Sequence, residues 1–320
     1  MYFAKLSRFT LVTFSLALSV ASQASVLSDY NLILTGDYNY QGGEVEGRTL
    51  LGGNLNASGH SPTFATRETT VINKDTVTVV GDVNATNINL NAGSLSYGGS
   101  YNVNGNVNLN GGGSAVQSIS AKNQLDMQAT FAAVEAELRA DSAYFAGLTS
   151  NAVLSGSHLS YAGSDSVAVF DVDFSSIFAQ NNSLSLDAGL AETVIINVSG
   201  SIVDIAGGVN LTGNGFAIDA GLGNLGAENI LWNFYEAEAI NFNNLATVGS
   251  VLALDADITG GAVFDGSVAA KSYTGGREFH SHGFDWTPPQ VPAVVSESSS
   301  FMLFILGLAL VIVSRRRSRI

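Results

Sequence analysis

The stretch VTVVGDVNATNINLN, Val77 to Asn91, decides how the rest of the chain is read. Apolar and polar residues alternate through most of it, the period of a strand with one buried face. At its centre, Gly81-Asp82-Val83-Asn84 is one copy of a tetrapeptide: Gly, any residue, an apolar residue, Asn. The same pattern starts at Gly36, Gly53, Gly99 and Gly105, and two of the intervals are 17 and 18 residues. A Gly-Ser-apolar variant starts at Gly200, Gly249 and Gly266, the last two 17 apart. A repeat of that length is about one coil of a β-solenoid, in which each coil stacks on its neighbour. Gly and Asn suit the corners, where left-handed backbone is needed, and stacked Asn side chains can form amide ladders. The expected fold is therefore mainly β, a solenoid of the parallel β-helix kind.

One segment departs from this pattern. KNQLDMQATFAAVEAELRADSAYFAG, Lys122 to Gly147, places Met127, Phe131, Val134, Leu138 and Phe145 on one face of a 3.6-residue period. Gly147 reads as its C-terminal stop. A helix over about 122–147 is expected to brace the solenoid along its length. Its polar face carries Glu135, Glu137 and Asp141 with Arg139 as the one base, which is wrong for anionic lipid. Strand-like runs then resume: SVAVFDVDF, TVIINVSGSIVDIAG, NILWNF and SVLALDADITG.

Composition supports this reading. Charged residues make up 12% and Gly 35 of 320 residues, which suits strands and turns better than a helical bundle. The net charge is −14, and between residues 25 and 290 the balance is 7 basic against 26 acidic residues, or −19. So acidic a surface repels phosphate backbones and excludes nucleic acid as a partner. There is no Cys, so a large core must replace a disulfide framework.

Both ends read as export devices. In residues 1–24, Lys5 and Arg8 precede the apolar run FTLVTFSLALSVA, and Ser22 and Ala24 supply a small-residue cleavage site for signal peptidase. The body is expected over 25–286. A Pro/Ser linker, TPPQVPAVVSESSS, fills 287–300. In 301–320, FMLFILGLALVIV is followed by SRRRSRI. That apolar run would cover roughly 20 Å as a helix, against about 30 Å of hydrocarbon. Arg315, Arg316 and Arg317 would hold its end on the cytoplasmic side.

The candidate chemistry is sparse. Glu278, His280 and His282 in REFHSHGF would share one strand face at i, i+2 and i+4, a set that could hold zinc. Asp171 with Asp173, and Asp255 with Asp257, are carboxylate pairs that could contribute to calcium sites. Neither pattern is a full ligand motif, so no cofactor is expected. Glu46 and Arg48 would share a strand face and read as partners in cross-coil salt bridges. No thiol nucleophile exists and no G-x-S-x-G elbow is visible, so an enzyme is not expected. Ice binding would call for a regular Thr array, and the pair Thr76 and Thr78 is not repeated in the neighbouring units.

Two resemblances add to this reading. The tail resembles PEP-CTERM sorting signals, which exosortase-type enzymes process in Gram-negative bacteria. The matching positions are Pro292 and Glu297 in VPAVVSES, the apolar run and the Arg cluster. Ser298 stands where that pattern expects Pro, so the tail reads either as a cleaved signal or as a retained anchor. The body resembles the choice-of-anchor A family through five elements in order. They are VEGRTLLGGNLN, the mid-chain helix, IINVSG, NILWNF and GSVAAKSYTGGREFHSHGF. This resemblance implies a β-helical adhesin or surface-layer component. The repeat's polar faces, the acidity and the tail point to attachment to extracellular polysaccharide or a neighbouring surface, with the membrane reached through the C-terminal segment. A carbohydrate- or metal-binding module is the alternative.

Overall fold

Each position of the Gly-x-apolar-Asn tetrapeptide has its own task in stacking the coils. The computed structural model describes residues 26–68, 74–178, 184–206, 211–213 and 226–286. In it, Gly36, Gly53, Gly81 and Gly99 form one column. The amide of Gly53 donates to the Gly36 carbonyl (3.0 Å), Gly81 to Gly53 (2.9 Å) and Gly99 to Gly81 (2.9 Å). A Cβ on Gly81 would lie 2.6 Å from the Gly53 carbonyl oxygen, so the corner admits no side chain there. The next position carries a polar side chain that reaches along the axis. Asp37 Oδ1 accepts the Asn54 amide (2.7 Å), Asn54 Oδ1 that of Asp82 (2.7 Å) and Asp82 Oδ1 that of Ser100 (2.6 Å). The apolar position points inward, where Tyr38, Leu55 and Val83 are fully buried. Burial of such a side chain contributes about 1.5–3 kcal/mol. The Asn points outward.

Strand pairing among the described residues is parallel throughout, apart from one antiparallel hairpin, Val153–Ser155 with His158–Ser160. The fold is therefore mainly β and β-helix-like. One column of strands runs through Ile119–Ala121, Ser94–Tyr97, Asp75–Val79, Thr49–Leu51 and Leu32–Leu34. It continues through the first parts of Val268–Gly275 and Ser250–Thr259 to Ile230–Asn233, Thr193–Ser199 and Val167–Asp173. A second column runs beside it, and a third is formed by a seven-stranded sheet.

The coils do not stack in chain order. Leu32, Ile33 and Leu34 pair on one side with Thr49, Leu50 and Leu51, and on the other with Val268, Ala269 and Ala270. The first coil thus sits mid-stack, against the last. Asn31 fastens this seam: its Nδ2 donates to the carbonyls of Gly266 (3.2 Å) and His280 (2.9 Å), and its Oδ1 accepts the Gly47 amide (3.0 Å).

The helix makes this order reachable. It spans Gln124–Ala146, close to the expected 122–147. Asn123 caps its start by accepting the Asp126 amide. Gly147 caps its end at φ −85°, so it stops the helix without adopting a left-handed conformation. Its 23 residues measure about 34 Å. Six strand spacings, from the coil holding Val80 to that holding Asn197, need roughly 29 Å. Phe131, Leu138 and Phe145 are buried against Ile33, Leu50, Ile195, Leu231 and Leu252, with Met127 and Val134 partly covered, as the stripe predicts.

The body forms one compact unit, Gln23–Trp286. The expected signal segment 1–24, the linker 287–300, the apolar segment 301–320 and the sorting positions Pro292, Glu297, Ser298, Arg315, Arg316 and Arg317 lie outside the described residues. Among the described residues no helix is long and apolar enough to cross a membrane.

Candidate functional site: a polar ladder face

The second strand column presents a row of short polar side chains outward. Register places Asn102, Asn84, Asn56, Asn39, Thr274, Thr259, Asn241 and Asp204 on consecutive rungs. Asn102 Nδ2 donates to Asn84 Oδ1 (2.9 Å), Asn84 to Asn56 (3.2 Å) and Asn56 to Asn39 (3.0 Å). Asn39 donates to Thr274 Oγ1 (3.1 Å), and Asn241 to Asp204 Oδ1 (3.0 Å). Eight rungs at about 4.8 Å give a straight row of roughly 34 Å. Two residues away along each strand, a parallel row runs through Ser100, Asp82, Asn54, Asp37, Ser272 and Asp257. Each amide is held by its neighbours, so the face offers polar groups at fixed spacing with little rotamer freedom left to lose.

The third column repeats the device on a smaller scale. Asn108 Nδ2 donates to Asn89 Oδ1 (2.7 Å), and Asn89 Nδ2 to Thr63 Oγ1 (3.2 Å). The fifth sequence copy, at Gly105, belongs here: Gly105 lies over Thr86, and Asn87 Oδ1 accepts the Asn106 amide (2.7 Å).

The expected metal set divides. Glu278 and His280 lie on the strand Glu278–His280, but His282 lies past its end, with its amide donating to the His280 carbonyl (3.0 Å). The i, i+4 alignment therefore fails, because the strand is only three residues long. His280 Nδ1 is hydrogen-bonded to the buried Asp265, its register partner one coil away, and its Nε2 lies 3.5 Å from Glu278. The hydrogen bond to Asp265 raises the His280 pKa above its ordinary value, against a smaller opposing effect of burial. Two carboxylates on one ring favour the imidazolium form. Among the described residues no three His, Asp or Glu side chains converge as a metal site would require.

The carboxylate pairs are likewise drawn to protein partners. Asp171 accepts from Asn197 (3.1 Å), and Asp173 caps the short helix Phe174–Ile177. Asp255 pairs with Arg139 (3.0 Å), and Asp257 with Lys271 (2.8 Å). Glu46 makes a cross-coil bridge to Arg67 (3.3 Å). Among the described residues Arg48 has no carboxylate partner: it stacks over the Tyr30 ring at 4.2 Å and donates to its hydroxyl (3.1 Å). Thr76 is buried, with its hydroxyl on the Ala92 carbonyl (2.7 Å), so it forms no surface array with Thr78.

A buried amide pair escaped the sequence reading. Asn197 and Asn233 sit under the helix. Asn233 Nδ2 donates to Asn197 Oδ1 (2.9 Å) and to the Ser142 carbonyl (3.0 Å), and Asn197 Nδ2 to the Phe145 carbonyl (2.8 Å). The signal was present: each Asn interrupts an otherwise apolar strand, in TVIINVS and ILWN.

Parallel coils with regular polar faces define a class of repetitive β-helix-like domains. Residues 23–281 match the family described as "Putative Ice-binding-like adhesive domain", and the chain belongs to it. No curated protein and no solved structure matches the chain.

Proposed function

We propose that this is an exported adhesive protein that acts by display, holding the ladder face against extracellular polysaccharide or a neighbouring surface. The carrying observation is the eight-rung row from Asn102 to Asp204. Amides and hydroxyls repeated at one spacing make many weak contacts add, the arithmetic of multivalency. Their mutual hydrogen bonds fix the spacing before any partner arrives. The adhesive family supports the same reading.

In this proposal the protein is not an enzyme and needs no cofactor. Signal peptidase removes residues 1–24. The tail, in the choice-of-anchor A and PEP-CTERM manner, then either passes to an exosortase-type enzyme or stays as a membrane anchor, leaving the body at the cell surface. Deletion of residues 25–286 from the producing cell should reduce surface attachment or matrix retention. Unchanged attachment would remove the proposal. The ladder is built of Asn with only two adjacent Thr rungs, Thr274 and Thr259. Polysaccharide is accordingly preferred to ice as the surface bound.

A further inference from the structure

The two ends of the coil stack are finished differently. At one end, the outer edge of Val167–Asp173 is covered at Val167 and Val169. Asn151 donates its amide to the Val169 carbonyl (3.1 Å) and its Nδ2 to the Val167 carbonyl (3.0 Å), and its Oδ1 accepts the Val169 amide (2.8 Å). The antiparallel hairpin Val153–Ser160 ends the parallel run beside it.

At the other end, three strands, Tyr101–Val103, Val107–Leu109 and Ile119–Ala121, are the last of their columns. Among the described residues nothing pairs with their outer edges. The inward positions there are Tyr97, Tyr101, Val103, Val107, Leu109 and Ile119, and all are only partly buried. One coil deeper, their register partners Val83, Ala85, Ile88, Leu90 and Leu95 are at most 1% exposed. The cross-section of the core is thus open at this end.

The composition of the end coil points to its occupant. From Val83 to Ala121 the sequence has no Asp, Glu, Lys, Arg or His, whereas the body as a whole is strongly acidic. Two copies of this chain repel each other over most of their surface but not here. The edge also lacks Lys, Pro and inward charge, the usual protections of an exposed strand edge. We propose that a second copy of this chain stacks on the open end, head to head, giving a closed two-fold dimer. At the far end the last strands carry Asp171, Asp173 and Asp204, and such charged edge residues oppose pairing there, so assembly stops at two. A two-fold axis through the Asn102 column brings the Tyr101–Val103 strands together antiparallel, and each Val107–Leu109 against the other copy's Ile119–Ala121. On this axis the two Asn102 side chains face each other, so a charge placed at Asn102 in one copy meets the same charge in the other.

The chain has no Cys, so a single introduced thiol reports unambiguously. The full chain is held in detergent, to keep its apolar tail from driving association. Its sedimentation should show a concentration-dependent monomer–dimer equilibrium, weakened at least tenfold by Asn102→Lys. Asn102 is exposed, so the thermal midpoint of that variant should stay close to the parent's. Asn102→Cys should form a disulfide-linked dimer much faster than Ser155→Cys at the covered end. A monomer at every concentration, masses beyond two, a dimer indifferent to Asn102→Lys, or equal cross-linking at both ends would each overturn the proposal. Association through the tail would fall under the third of these.

Discussion

The coils before the helix and those after it solve the same stacking problem in opposite ways. Before the helix, order is written on the outside. Asn102, Asn84, Asn56 and Asn39 hold one another in an amide row, and beyond Tyr38, Tyr40 and Phe64 the interior beneath is aliphatic: Leu55, Ala57, Val83, Ala85, Ile88 and Leu90. After the helix, order is written inside. Phe178, Phe234, Phe242, Phe264 and Phe279 form a chain of ring contacts with centroids 5.0–6.4 Å apart. Tyr273 and Tyr38 carry it across the seam into the first coil. A surface row is open to partners while a core row is not, so the proposed adhesion falls to the ladder and rigidity to the rings.

That division can be broken by comparing costs. Phe264→Ala removes a fully buried ring stacked on Phe279 and should cost about 3–5 kcal/mol in chemical denaturation. Gly81→Ala should cost about 1–3 kcal/mol, because its Cβ meets the Gly53 backbone as well as the Asn54 side chain. Asn233→Ala should cost about 1–3 kcal/mol, since it leaves Asn197 and the Ser142 carbonyl short of partners beneath the helix. Hydrogen exchange should then show the helix C-terminus opening first. Asn84→Ala, on the part-exposed ladder, should cost only about 0.5–1 kcal/mol. Equal costs for Phe264 and Asn84 would show that the two halves are not held differently.

The seam adds a pH dependence. His280 has a raised pKa in the folded protein through its hydrogen bond to Asp265. Its stabilisation is therefore complete below the ordinary histidine pKa and is lost as pH rises through the folded value. Thermal midpoints should fall on going from mildly acidic to alkaline buffer, and His280→Asn should flatten that slope. Asp141, pushed up to about 6 by burial and then by Glu137, acts in the same direction at lower pH, as pH rises from its ordinary value to about 6. Asp141→Asn should stabilise slightly above pH 6 and make no difference well below it.

The repeat, the helix and its stripe were legible in the sequence because each is periodic, and period survives without knowledge of contacts. The stacking order was not. Nothing periodic links Leu32 to Val268, and the 28-residue step from Asn54 to Asp82 hides one rung of an otherwise regular column. The shared face expected for Glu278, His280 and His282 ends with the strand at His280, which the sequence pattern did not show. The partner that decides the state of His280 is Asp265, one coil and 15 residues away, and coil length sets that distance in sequence. Arg67, which takes Glu46, lies one coil beyond it in the stack for the same reason.

The central claim is that the ladder face is what adheres. The most direct test is attachment of the full chain, displayed on its producing cell, with Asn39, Asn56 and Asn84 replaced together by Ala. A control carries Glu135→Gln and Glu137→Gln on the outer face of the helix. The account predicts that the ladder variant, shown to be folded by its circular dichroism, loses at least tenfold in attachment to polysaccharide while the helix variant keeps it. Full attachment by the folded ladder variant would contradict the claim.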